Sequence, residues 1–269
     1  ILEAKKQHNL KILVCFGGHS RSRGYSGMVS SQANRQKFLE NLSDFIKKHD
    51  LDGVDYNWEY PSSKTDWRGF AQLLKETKAK LGEKGTVTMA YYPDTRQEKI
   101  ISILGLSKYV DLFHSMSYDK VPGKHSTLAL AKQTVSNWEA ESLPKTRLCL
   151  GIPFYARHIE TGDAKTYEEI HRNYHPLSPK KNGVGKYYFN GVKMIAHKTK
   201  YAVREGLGGM MIWELGQDIA PTSKESLLVA ISSVVNPKAA QDASNLGTDD
   251  GGNDDSHNVV AADNNQDEL

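Results

Sequence analysis

Apolar residues along this chain alternate between short continuous runs and longer stretches with helical periodicity. The short runs are rich in β-branched, aliphatic and aromatic residues and end at glycine, proline or a polar residue, which is typical of buried strands. In the longer stretches apolar residues recur every three or four positions, which is typical of amphipathic helices. Alternation of the two predicts an α/β fold with a parallel sheet. The predicted strands lie at about residues 11–16, 54–60, 87–92, 111–117, 147–152 and 210–213.

Six helices are predicted beside these strands. The last begins near Thr222 and Glu225, which have capping-box spacing, and ends near Pro237. The segment 158–191 is polar and aromatic and contains two prolines, so we predict a long loop with little regular structure. The other predicted helices span about 32–49, 66–81, 97–105, 128–141 and 192–205.

The second predicted strand has an unusual polar face. Asp55, Asn57 and Glu59 alternate with apolar or aromatic residues, so all three side chains point the same way. Such a strand can lie at a solvated edge with its polar face in water. A parallel sheet, however, buries both faces of its strands, and burying three polar groups is costly without partners. The pattern therefore favours a reactive site.

The segment from Asp52 to Pro61, D-G-V-D-Y-N-W-E-Y-P, resembles the D-G-x-D-x-D-W-E-Y-P signature of glycoside hydrolase family 18, the chitinases and their relatives. Asn57 stands where the family usually has its third aspartate. Further segments resemble family motifs in the same order along the chain. They are Gly17-Gly18 after Cys15 (S-x-G-G), Met116 to Asp119 (M-x-Y-D), Gly151 to Arg157 (G-x-P-x-Y-G-R, with Ala156 for Gly) and the strand ending at Trp213.

The resemblance implies a (β/α)8 TIM barrel over residues 1–237, in which the six predicted strands are the third to the eighth. The first two strands are then missing from this chain. A six-strand remnant exposes unpaired edges, so we expect the chain alone to fold poorly or aggregate. Residues 158–191 are fewer than the inserted domain of some chitinases, which suggests a shallower groove.

The resemblance also implies substrate-assisted, retaining hydrolysis of β-1,4-linked N-acetylglucosamine chains, as in chitin. Glu59 is then the general acid and later the base, and the substrate's acetamido oxygen attacks the anomeric carbon. The implied catalytic residues are Glu59, Asn57, Asp55 and Tyr118. The implied substrate-binding residues are Gly17, Gly18, Asp52, Trp58, Tyr60, Met116, Asp119, Tyr155, Arg157 and Trp213.

Asn57 leaves two functions open. Its carbonyl oxygen keeps a hydrogen-bond acceptor but lacks the negative charge of aspartate, which predicts a slowed hydrolase. The alternative is a chitin-binding or glycan-binding lectin. Lectin-like relatives commonly lose the acid itself, and Glu59 is present, which favours the enzyme. No cofactor is expected, and no metal site is predicted, because Asp55 and Glu59 have no further ligand cluster at convincing spacing; His171 and His175 are expected to be surface residues.

Charge divides the 269-residue chain into a basic body and an acidic tail. The formal net charge is +3, but residues 238–269 contain one lysine and eight acidic residues and so carry −7, which leaves +10 on residues 1–237. No basic block or RNA-stacking motif accompanies this charge, so solvated helix faces explain it better than nucleic-acid binding. No stretch approaches the ~20 apolar residues of a membrane span. Cys15 and Cys149 lie in apolar runs, so free buried thiols are expected.

Residues 238–269 are rich in Asp, Asn, Gly and Ala and are predicted to be a disordered tail. The last four residues, Gln266, Asp267, Glu268 and Leu269, resemble the K-D-E-L and H-D-E-L tetrapeptides that hold proteins in the endoplasmic reticulum. The alternative is a chance acidic ending. Retention predicts a location in the lumen of the endoplasmic reticulum or in the secretory pathway, with a retention receptor as a partner. It also favours the processing of glycans over the degradation of bulk chitin.

Overall fold

The computed structural model describes residues 2–237, and six of its strands form one parallel sheet in the order β1-β2-β3-β4-β5-β10. This confirms the predicted α/β class. Within the described residues, the outer strands β1 and β10 each pair on one side. The strands of this sheet are β1 (Leu13–Gly17), β2 (Gly53–Asn57), β3 (Thr86–Tyr91), β4 (Leu112–Ser115), β5 (Leu148–Pro153) and β10 (Gly209–Trp213).

Helices connect consecutive strands of the sheet, and local sequence signals fix where they begin. The N-cap Ser31 and the capping box formed by Ser63 and Asp66 satisfy free N–H groups at the start of the two longest helices. The helices are α1 (Leu2–His8), α2 (Tyr25–Val29), α3 (Gln32–Lys48), α4 (Lys64–Leu81), α5 (Arg96–Ile103), α6 (Leu128–Ala140), α7 (Tyr167–Tyr174), α8 (Val192–Arg204) and α9 (Leu227–Val235).

The main hydrophobic core lies between the sheet and the helices α3, α4 and α6. It joins buried strand residues such as Tyr56 and Phe113 to helix residues such as Phe70 and Trp138. Burying aromatic side chains of this size contributes a large part of the apolar stabilisation. A second core cluster joins β5 to α7, α8 and α9. These two clusters hold the strands so that their carboxyl ends share one edge of the sheet.

The prediction of a loop with little regular structure over 158–191 is wrong. Helix α7 lies in this segment and contacts strands β6 and β7 of a small antiparallel sheet of order β7-β6-β9-β8. The strands are too short to leave a readable alternation, and their pairing joins residues up to about thirty positions apart. We refer to residues 155–191 as the inserted segment. Its strands are β6 (Tyr155–His158), β7 (Ala164–Thr166), β8 (Gly183–Val184) and β9 (Tyr187–Tyr188).

The last helix also begins later than the sequence predicts. Ser226, not Thr222, is the N-cap of α9, and its hydroxyl accepts a hydrogen bond from the N–H of Val229. The Asp218 carboxylate accepts bonds from the first N–H groups of the helix and from the Ser226 hydroxyl. Asp218, eight residues before the N-cap, therefore helps to set this helix start, which capping-box spacing does not reveal.

Among residues 2–237, no helix combines the length and the apolar character that crossing a membrane requires. The predicted disordered tail over 238–269 lies outside the described residues. So do Gln266, Asp267, Glu268 and Leu269, and retention in the endoplasmic reticulum stays a prediction.

Candidate active site

A cavity of about 790 Å³ opens at the carboxyl edge of the parallel sheet. Strand β2 ends at Asn57, three residues earlier than predicted, so Glu59 lies in the loop that leaves the sheet. Asp55, Asn57 and Glu59 all line the cavity. The polar face of β2 therefore faces the cavity and not bulk solvent.

Asn57 is held in place by the neighbouring strand. Gly17 lies opposite it in the parallel register, with a φ of 104°, and a Cβ at Gly17 would lie 2.1 Å from the carbonyl oxygen of Asn57. The N–H of Gly18 donates to that same oxygen at 2.7 Å. Only glycine permits so close an approach of the two strands. The pair therefore positions the Asn57 backbone.

Asp55 lies at the base of the cavity in a network of hydrogen bonds. Its Oδ1 accepts from the Thr88 hydroxyl at 2.5 Å and lies 3.2 Å from His114 Nδ1, and the Cys15 thiol donates to its Oδ2 at 3.0 Å. Burial alone would raise the pKa of Asp55, but the hydrogen bond and charge of His114 lower it below its ordinary value. Burial opposes protonation of His114, yet Asp55 raises its pKa to about 9. The two form an ion pair at neutral pH.

Glu59 lies in an environment that raises its pKa. Its side chain is half-buried, and this burial raises its pKa; a hydrogen bond with the Asn57 side chain works in the opposite direction. The Asn57 carbonyl oxygen Oδ1 is buried and has no hydrogen-bond partner among the described residues. A raised pKa keeps a carboxyl group protonated at higher pH, as donating a proton requires. The Asn57 oxygen Oδ1, a free hydrogen-bond acceptor, lies in the same cavity as the Glu59 carboxyl group.

Asp119, in the loop that follows strand β4, bonds to residues of the inserted segment. Its carboxylate accepts a bond from the Tyr155 hydroxyl at 2.8 Å and two from the Arg157 guanidinium, at 2.8 and 2.7 Å. Burial would raise the pKa of Asp119, but hydrogen bonds with His125, Arg157 and Tyr155 outweigh it and hold that pKa far below its ordinary range. Residues from two separate sequence motifs therefore form one network at the cavity wall.

Aromatic side chains form other parts of the cavity wall. Trp213, at the end of β10, is 46% exposed and Tyr60 is 41% exposed, and both line the cavity together with Tyr92. Tyr118 also lines it, and its hydroxyl contacts the Met211 sulfur at 3.6 Å. Exposed aromatic rings at a cavity offer flat apolar surfaces that suit the faces of sugar rings.

Ten of the fourteen site residues that the sequence suggests line this cavity. The other four do not. Trp58 packs in the core, stacked on Tyr25 with ring centroids 4.8 Å apart. Asp52 lies at the opposite end of β2, where it accepts from the Ile12 N–H and pairs with Lys5. The glycines Gly17 and Gly18 act through backbone contact with β2. Those lining the cavity are Asp55, Asn57, Glu59, Tyr60, Met116, Tyr118, Asp119, Tyr155, Arg157 and Trp213.

The cavity residues His114 and Cys15, and His125, which is buried beside Asp119 and does not line the cavity, were missed by the sequence reasoning. His114 lies within a predicted strand, next to the buried Phe113. Side chains alternate along a strand, and this alternation was the available signal that His114 faces the opposite side from Phe113. His125 Nδ1 lies 3.4 Å from Asp119, but it comes from a loop that carries no motif. Cys15 is free, as expected, but it faces the cavity and is exposed, whereas Cys149 is buried.

The sequence profile of glycosyl hydrolases family 18 matches residues 1–218. The chain belongs to this family. Its solved structural relatives include the family 18 chitinase ChiB of Flavobacterium johnsoniae, which is 27% identical with a TM-score of 0.73 over 88% of this chain and 76% of that chain. A chitinase of Bacteroides thetaiotaomicron has a TM-score of 0.77 at 21% identity and covers 88% of this chain and 80% of its own. These neighbours confirm a family 18 TIM-barrel domain.

Known proteins with sequences similar to this chain are longer than it is. Chitinase A1 of Niallia circulans is 25% identical over 81% of this chain, which spans 42% of that protein. Probable chitinase 10 of Drosophila melanogaster is 25% identical over 86% of this chain, which spans 13% of it. Catalytic domain 2 of the Ostrinia furnacalis Group II chitinase has the same fold (TM-score 0.71, 24% identity, 87% of this chain and 80% of that chain) and was solved with an (NAG)5 oligosaccharide.

Proposed function

We propose that this family 18 chain is a chitinase-like glycosidase that hydrolyses β-1,4-linked N-acetylglucosamine chains with retention, more slowly than an enzyme with aspartate at position 57. One observation carries the proposal: Glu59, a half-buried carboxyl group with a raised pKa, lines a large cavity beside aromatic side chains. A raised pKa keeps a carboxyl group protonated to higher pH, so that it can donate a proton to a glycosidic oxygen.

In this proposal Glu59 protonates the leaving oxygen while the acetamido oxygen of the bound sugar attacks the anomeric carbon. The bond to the leaving sugar breaks, and an oxazolinium-like intermediate forms. Glu59, now a carboxylate, takes a proton from water, which opens the intermediate and restores the original anomeric configuration. The buried acceptor on Asn57 is available to the acetamido N–H, and the Tyr118 hydroxyl to the acetamido oxygen.

The cavity walls suit an oligosaccharide substrate. Trp213 and Tyr60 expose ring faces for stacking. Asp119 is engaged by Tyr155 and Arg157, so that its oxygens have fixed positions when a sugar hydroxyl donates to them. The volume of about 790 Å³ lies within the range of sites that bury most of a ligand.

The test is mass spectrometry of products from N-acetylglucosamine tetramer to hexamer, comparing wild type with Glu59→Gln. We expect wild type to release chitobiose and Glu59→Gln to lose at least 10²-fold in rate. The matched control is Glu98→Gln, because Glu98 is also buried, with its pKa raised to about 7, but does not line the cavity. This variant should keep its activity.

A different result would replace the proposal. If wild type binds the oligomers without cleaving them, the chain is a glycan-binding protein. If Glu59→Gln cleaves as fast as wild type, the acid is another residue.

A further inference from the structure

Two histidines and a glutamate meet outside the cavity, at a position where the sequence predicted only surface histidines. His171 Nε2 lies 2.6 Å from Glu225 Oε2, and His175 Nε2 lies 3.3 Å from the same oxygen. One ligand atom from each of the three residues lies within 4.8 Å of the other two. Glu225 is 50 or more positions away in sequence, so the fold, not local spacing, completes the cluster.

Neighbouring groups hold the backbone of Glu225 in place. The Tyr167 hydroxyl donates to the backbone oxygen of Glu225 at 3.1 Å, and the Ser223 hydroxyl accepts from its N–H at 3.2 Å. The imidazole rings of His171 and His175 lie with centroids 4.7 Å apart. The side chains of His171 and Glu225 are only 19% and 23% exposed, whereas that of His175 is 52% exposed. His171 and Glu225 are therefore largely shielded by the protein, and the cluster is open to solvent at His175.

The chemistry of the three donors suits a specific class of ion. Two imidazole nitrogens and one carboxylate form the ligand set that proteins use for Zn²⁺, and imidazole disfavours Ca²⁺ and Mg²⁺. Around a tetrahedral Zn²⁺ with bonds of about 2.0–2.1 Å, ligand atoms lie about 3.3 Å apart. The His175 to Glu225 distance already fits. The His171 to Glu225 distance must open by less than about 1 Å.

We propose that His171, His175 and Glu225 bind Zn²⁺ as three protein ligands, with water in the fourth position on the solvent side of His175. The ion links the C-terminal end of α7 to the segment that precedes α9. Since α7 packs on β6, which carries Tyr155 and Arg157, the ion stabilises the inserted segment behind the cavity wall. None of the three ligands lines the cavity, so the site is separate from the proposed hydrolysis and does not depend on it.

The test is calorimetric titration of the metal-stripped full chain with ZnCl₂ at pH 7. Wild type should bind one Zn²⁺ in this site and unfold at a higher temperature in the presence of the ion. His175→Ala and Glu225→Gln should each weaken this binding by at least about 10-fold and abolish the thermal shift. His175 is exposed, so His175→Ala tests the site without disturbing the core.

His197→Ala is the matched control, because His197 is an exposed histidine on α8 outside the cluster. It should bind Zn²⁺ like wild type. A Co²⁺ titration followed by its visible absorption gives a second readout, with a four-coordinate spectrum in wild type and His197→Ala but not in His175→Ala. Absence of binding by wild type, or equal binding by wild type, His175→Ala and Glu225→Gln, would overturn the proposal.

Discussion

At the scale of single residues, Asn57 affects both the negative charge beside the bound sugar and the pKa of Glu59 in the proposed site. Its side chain lowers the pKa of Glu59 by hydrogen bonding, and it contributes no negative charge beside the sugar. In Asn57→Asp we expect hydrolysis to accelerate by about 10²-fold, because a carboxylate stabilises the developing cation. A neighbouring carboxylate should also raise the pKa of Glu59 and move the alkaline limb of the kcat/KM profile upward by about one pH unit.

Initial rates on N-acetylglucosamine tetramer between pH 4 and 10 check both effects. An unchanged rate in Asn57→Asp would mean that position 57 does not limit the reaction.

The ion pair of Asp55 and His114 makes a pH-dependent contribution to stability. The pKa of His114 is raised to about 9 in the folded protein, against 6.5 for the unfolded chain, so its contribution is complete below pH 6.5 and is lost as the pH rises through 9. The Asp55 pKa is lowered below 3.8, so its contribution is present above that value and lost as the pH falls through the lower folded value. We therefore expect His114→Asn to lower the free energy of unfolding by about 3 kcal/mol at pH 7.

The difference between wild type and His114→Asn should shrink above pH 9. Urea unfolding at pH 5, 7 and 10 measures it, with His197→Ala as a control that shows no such trend. A constant difference across that range would contradict the ion pair.

At the scale of secondary-structure elements, the contact of β1 with β2 requires glycine. A Cβ on Gly17 would meet the Asn57 carbonyl at 2.1 Å, whereas a Cβ on Gly24, which has a similar φ of 92°, would meet nothing within 4 Å. Gly24→Ala should cost about 1 kcal/mol from its backbone conformation alone. Gly17→Ala should cost roughly 3 kcal/mol or more, because the strands must also separate.

Thermal denaturation of the two variants makes the comparison. Equal losses of stability would mean that the strands separate without cost.

The sequence predicts the parallel sheet well, because its strands, apart from the polar face of β2, are short apolar runs that end at glycine, proline or a polar residue. The inserted segment was not predictable in this way, since strands of two to four residues carry too few positions to show alternation. The same contrast holds at the site. Motifs locate Glu59, Asp119 and Arg157, but nothing local tells that Trp58 packs in the core or that His114 pairs with Asp55.

At the scale of the whole molecule, the outer strands β1 and β10 have unpaired edges among the residues that the structure describes. Such edges pair with other chains. We expect this chain to self-associate as its concentration rises, which light scattering coupled to size-exclusion chromatography measures. A 30.0 kDa monomer at every concentration, with one cooperative unfolding transition, would contradict this expectation.

The thiol of Cys15 faces the cavity, yet it donates to the Asp55 carboxylate. Burial and the neighbouring carboxylates raise its pKa far above the ordinary value, and alkylating reagents attack the thiolate rather than the thiol. Cys149, the second of the two cysteines in the sequence, is shielded from solvent. Iodoacetamide should therefore modify the exposed Cys15 slowly because its thiol stays protonated, whereas the rate at which it modifies the buried Cys149 reports how often the molecule opens, with no added label.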